Sequence, residues 1–101
     1  MPKLYEYLGI AIRIFYGDHK PIHVHATYEE NEMRIELHEK DGVIYDIKYI
    51  LLRGKFTPAQ ERNLRAFIEE KKSAILFAWD QSKRQKGLKF KPTRITKRIK
   101  K

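Results

Sequence analysis

Three of the chain's four histidines fall within seven residues, in the run Gly17-Asp18-His19-Lys20-Pro21-Ile22-His23-Val24-His25. Imidazole titrates near neutral pH and binds divalent metals through either ring nitrogen, so such a cluster can serve more than one chemistry. His23 and His25 are two apart. On a strand they face the same way, with their Cβ atoms about 6–7 Å from each other. His19 stands across Pro21 and joins them only if the chain folds back. Asp18 supplies a carboxylate that can orient an imidazole or act as a ligand itself.

Four readings fit these residues. As a metal site, His19, His23 and His25 form an open three-ligand set for a divalent ion such as zinc, without naming the metal. As a site without metal, His19, His23 and His25 with Asp18 are candidate catalytic residues, two imidazoles serving as general base and general acid on a phosphodiester. Arg13, Lys20 and Arg34 are then candidates for phosphate contact. A third reading is nucleic-acid or anion binding without chemistry. The plainest alternative is a set of half-exposed strand histidines hydrogen-bonded to backbone and water.

The charge distribution bears on the choice. The net charge is +9 over 101 residues, yet residues 82–101 hold ten lysines or arginines and no acid, and the remainder is close to neutral. A basic segment of this kind neutralises phosphates and makes binding salt-dependent, or simply keeps the protein soluble. Lys97, Arg98, Lys100 and Lys101 are its candidate nucleic-acid contacts. The absence of cysteine excludes disulfides and thiolate metal ligands and suits a reducing compartment. No apolar run nears the roughly 18 residues a membrane span needs, and Met1-Pro2-Lys3-Leu4-Tyr5-Glu6 lacks a signal-peptide core. The expectation is a cytoplasmic protein with no membrane partner.

The elements that must position these residues are legible in the periodicity. Ile10, Ile12, Ile14 and Tyr16 alternate with Ala11, Arg13 and Phe15, a strand apolar on both faces and hence central. A second strand runs from about His23 to Tyr28, setting Val24, Ala26 and Tyr28 against His23, His25 and Thr27. After the polar turn Glu29-Glu30-Asn31, a third places Met33, Ile35 and Leu37 opposite Glu32, Arg34, Glu36 and His38. Asp41-Gly42 signals a hairpin into a fourth strand that carries Val43, Tyr45 and Ile47 and ends before Arg53-Gly54.

The period then changes. Thr57-Pro58-Ala59-Gln60 reads as a capping box with proline at the first helical position. Leu64, Phe67, Ile68, Ile75, Ala78 and Trp79 follow at helical spacing. The stripe lapses over Glu69-Glu70-Lys71-Lys72, which predicts two helices, 57–71 and 73–86, with Ser73 capping the second and Gly87 ending it. Leu88-Lys89-Phe90-Lys91 alternates as a short edge strand. The expected fold is α+β: an antiparallel meander of about four strands packed on two C-terminal helices, with Trp79, Phe67 and Phe77 in the core. One domain spans residues 1–93, and 94–101 form a flexible basic tail.

The run from Gly9 to Ala26 resembles the hallmark of the bacterial domain-of-unknown-function family 4160, matching it at Met1-Pro2 upstream and at Ile12, Ile14, Asp18, His19, Pro21, His23 and His25. The helix bearing Trp79 and the basic-hydrophobic terminus are similar as well, whereas Thr96-Lys97-Arg98-Ile99-Lys100-Lys101 is longer and more basic than the family's usual end. The resemblance implies a small stand-alone protein, encoded in many cases beside another small protein in an arrangement suggestive of toxin–antitoxin pairs. It therefore implies a cognate protein partner and a role directed at RNA or DNA. A non-enzymatic module that docks a partner on an exposed sheet edge is the other outcome to weigh.

Overall fold

In the computed structural model, the described residues are 3–14, 21–84 and 92–96. Six strands and one helix follow in the order β1 (Lys3–Tyr7), β2 (Ile10–Ile14), β3 (Ile22–Tyr28), β4 (Asn31–Lys40), β5 (Val43–Arg53), α1 (Pro58–Arg84) and β6 (Thr93–Ile95). They form a single sheet in the order β5-β4-β3-β2-β1-β6. Consecutive strands pair antiparallel from β1 to β5, and β6 joins β1 in parallel.

The fold class is the expected α+β, with its details corrected. The sheet has six strands and is mixed, where four antiparallel strands were expected. β1 is missing from the hydrophobic pattern because the Leu8-Gly9 turn that joins it to β2 is hard to foresee. Both turn residues have positive φ, 49° and 85°, a conformation leucine seldom adopts. The Asp41-Gly42 turn has the same character, with φ of 53° and 82°, and there the residue types announce it. β6 takes Arg94 and Ile95 into the sheet, two residues expected in the tail, and the Leu8 amide donates to the Ile95 carbonyl at 3.1 Å. The strand expected at Leu88–Lys91 and the helix stop at Gly87 lie outside the described residues.

One continuous helix of 27 residues replaces the two expected. Its capping box forms as read: the Gln60 amide donates to Thr57 Oγ1 at 3.1 Å, and the Thr57 amide to Gln60 Oε1 at 2.9 Å. The helix runs through the lapse in the apolar stripe, with Lys71 half-buried at the stripe position between Ile68 and Ile75. Glu69 and Lys72 pair at 3.2 Å on the outer side, so the charged tetrad supports the helix.

The helix lies on one face of the sheet. Ile10, Ile12 and Ile14 of β2, Ile22, Val24 and Ala26 of β3, and Met33, Ile35 and Leu37 of β4 are buried with Leu64, Phe67, Ile68, Ile75, Ala78 and Trp79. Tyr7 stacks on Phe67 with ring centroids 4.3 Å apart, and Tyr5 meets the same ring edge-on at 5.1 Å. Phe77, expected in the core with Phe67 and Trp79, is instead 65% exposed. At the far end, the Arg65 guanidinium sits 4.2 Å above the Tyr49 ring. Burial pushes the Tyr49 phenol up to about 12, against the opposing pull of Arg65. Burying one face of a twisted sheet under a single helix leaves the other face to a polar layer, and there the histidines stand.

Candidate functional site

Strand alternation puts every second residue of β2, β3 and β4 on the face away from α1. These are Arg13, then His23 and His25, then Glu32, Arg34, Glu36 and His38. Register brings them side by side. Arg13 lies opposite His25 on one flank and Arg34 opposite His25 on the other, while His23 faces Glu36. The predicted same-face pair is present: the His23 and His25 rings have centroids 5.7 Å apart and are inclined by 55°.

Each imidazole is held by its Nδ1. His25 Nδ1 donates to Glu32 Oε2 at 2.6 Å, and His25 is buried. This short bond to a carboxylate fixes the ring's orientation and places the Nδ1 proton, and the carboxylate compensates any positive charge the ring acquires. Glu32 is steadied from its other side by Arg53 Nη2 at 3.4 Å, and Arg53 Nε in turn donates to the Glu30 carbonyl at 2.9 Å. His23 Nδ1 donates to the Pro21 carbonyl at 3.1 Å, an acceptor only, so the neutral ring carries its lone pair on Nε2. Pro21 thus does more than break the ladder before β3: its carbonyl sets the His23 tautomer.

The electrostatics separate the groups. Burial holds the His23 imidazolium below histidine's ordinary value, helped by the positive charges of Arg34 and His25, with the Pro21 hydrogen bond and Glu36 acting the other way. Burial alone would raise the Glu36 carboxyl. The hydrogen bond from His38 and the charge and hydrogen bond of Arg34 outweigh it, and Glu36 lies below the usual carboxylate value. Its partners are close: Arg34 Nε at 2.9 Å and His38 Nε2 at 3.2 Å. The face therefore holds a His–carboxylate dyad, a second histidine kept neutral, and arginines on both flanks.

Of the residues singled out from sequence, the structure brings together Arg13, His23, His25 and Arg34. Asp18, His19, Lys20, Lys97, Arg98, Lys100 and Lys101 lie outside the described residues. Among the described residues no three histidine, aspartate or glutamate side chains are grouped so as to hold a metal ion. Glu32, Glu36 and His38 were not foreseen as site residues. Their signal was the alternation of β4, which places them on the same face as Arg34, but only the register shows that this face continues that of the histidines.

No curated protein and no solved structure matches the chain significantly. Among the described residues no helix is long and apolar enough to cross a membrane. A family model does match, over residues 9–80, which takes in β2 to β5, the histidine segment and most of α1. The chain belongs to the family described as a domain of unknown function, DUF4160.

Proposed function

We propose that the protein acts on nucleic acid at the open face of its sheet, as a toxin–antitoxin-like or regulatory component whose substrate is RNA. The observation that carries this reading is the His25–Glu32 dyad standing beside His23, with Arg13 and Arg34 flanking His25 in the register. RNA carries its own nucleophile in the 2′-hydroxyl, so its cleavage asks of a protein only proton transfer and neutralisation of the phosphate. His23, neutral and with its lone pair on Nε2, accepts the 2′-hydroxyl proton as the 2′-oxygen attacks phosphorus. As the bond from phosphorus to the 5′-oxygen breaks, that oxygen takes a proton from water, while His25, buried with its Nδ1 on Glu32, acts as a positioning residue beside His23. The products are a 2′,3′-cyclic phosphate and a 5′-hydroxyl. Arg13 and Arg34 supply the charge that a phosphodiester and its transition state need. The basic segment from Arg94 onward adds phosphate contacts outside the site, independent of sequence.

The binding half of this reading is tested by titrating the full chain with a labelled single-stranded RNA at several salt concentrations. Binding should weaken steadily with salt. Arg13→Ala combined with Arg34→Ala should reduce affinity by about tenfold or more and flatten the salt slope. Affinity that is absent at low salt, or indifferent to both arginines, contradicts it.

A further inference from the structure

The two edges of the sheet are unlike. β6 closes one edge with three residues and an Arg94–Glu6 ion pair at 3.4 Å. β5 forms the other edge with eleven residues, and among the described residues no strand pairs with its outer side. Of the seven large hydrophobic side chains exposed among the described residues, five lie on β5: Val43, Tyr45, Ile50, Leu51 and Leu52. A long apolar edge presents a row of backbone donors and acceptors to any strand that fits it, and proteins ordinarily shorten or charge such edges. β5 does carry charges, and their arrangement specifies a partner.

About Ile47 the strand is its own complement. In an antiparallel pair related by a two-fold axis at Ile47, Asp46 of each copy lies opposite Lys48 of the other. Opposite charges therefore face one another on both sides of the axis, a favourable arrangement across an antiparallel ladder. Outward from there the match does not continue on one face, because the extra residue at Tyr45 puts Ile44 on the side packed against the core while Ile50 stands beside Arg34 on the histidine face. Neighbouring symmetric registers fail: an axis at Lys48 opposes two lysines, and one at Asp46 opposes two aspartates. Within the chain, Lys48 pairs with Glu36 and Asp46 with His38 across the β4 ladder. Joining two copies at Ile47 therefore continues an alternating row, Glu36 to Lys48 to Asp46 to His38, from one sheet into the next.

We infer that the protein is a two-fold symmetric homodimer in which the β5 strands pair antiparallel about Ile47, making one continuous sheet with both histidine faces on the same side. Register shifts against β4 leave one extra β5 residue at Tyr45 and another at Leu52. These bulges bend the ends of β5, so the pairing is short and its centre, Asp46-Ile47-Lys48, decides the register. An isologous contact of this kind closes on itself, which protects the edge from open-ended growth.

Sedimentation velocity on the full chain tests this. The wild type should sediment as a dimer. Lys48→Asp should weaken the dimer by about tenfold or more, because four carboxylates then meet at the axis. Asp46→Lys with Lys48→Asp should restore it, with circular dichroism showing each variant folded. The chain has no cysteine, so single-cysteine variants read the register directly. Ile47→Cys should oxidise to a covalent dimer, its Cα atoms being about 5 Å apart in an opposed pair. Tyr45→Cys should not, since its two copies stand four residues out of register, roughly 13 Å apart. A monomer at concentrations up to about 100 μM, a dimer indifferent to Lys48→Asp, or cross-linking at position 45 instead of 47 overturns the inference.

Discussion

At the scale of single residues, the open face carries two histidines treated differently by their surroundings. His25 is tied to a carboxylate at 2.6 Å and His23 to a backbone carbonyl at 3.1 Å. The stability consequence for His23 has a definite sign. Its folded-state value lies below the ordinary 6.5, so the unfolded chain binds the proton more readily. The contribution is therefore whole above pH 6.5 and is lost as the pH falls from there to the folded-state value. Glu36 behaves alike further down the scale, its contribution present above 4.5 and lost as the pH falls through its depressed value. Thermal melts between pH 7 and pH 5 should show the wild type losing more stability than His23→Gln; equal losses would mean that His23 is not held neutral. That His23 and His25 share a face follows from their spacing alone. Their different roles do not, because those depend on Pro21 and Glu32, and Glu32 reaches His25 only through the β3–β4 register.

At the scale of elements, the parts with strong local chemistry are the ones readable from sequence. The period-two pattern of β4, the Asp-Gly turn and the Thr57–Gln60 capping box each state their conformation in residue types. β1 and the unbroken helix do not: one depends on Leu8 accepting a left-handed turn, and the other runs on through a charged tetrad in which Lys71 is half-buried. A tertiary clamp holds the β4–β5 hairpin where the site needs it. Asn31 donates through Nδ2 to the Tyr28 carbonyl at 3.1 Å and accepts from the Lys55 amide at 3.0 Å, tying the start of β4 to the end of β5. Gly54 makes this possible, with φ of 68° and no Cβ where one would collide with Asn31 Oδ1. Gly54→Ala should therefore cost about 2 kcal/mol, from backbone strain and displacement of the clamp. The melting temperature should drop by roughly 10 °C. A drop of a degree or less would mean that the clamp adjusts freely.

At the scale of the whole molecule, one helix covers one sheet face and leaves the histidines on the other, and Arg94 and Ile95 enter that sheet through β6. Arg94 of β6 pairs with Glu6 at the edge opposite β5. Dimerisation through β5 would leave β6 of each copy, with Arg94, at the outer ends of a continuous face, with the two histidine pairs between them. Long RNA laid across such a face meets charge at its ends and proton-transfer groups toward its middle. The most direct test is to incubate the full chain with a single-stranded RNA in EDTA and analyse the ends of the products. The wild type should leave 2′,3′-cyclic phosphates, with His23→Ala and His25→Ala each slowing the reaction by about 10²-fold or more and Glu32→Gln by less. RNA that comes back intact, or cleavage that survives both histidine substitutions unchanged, would contradict the assignment of the open face as a phosphodiester site.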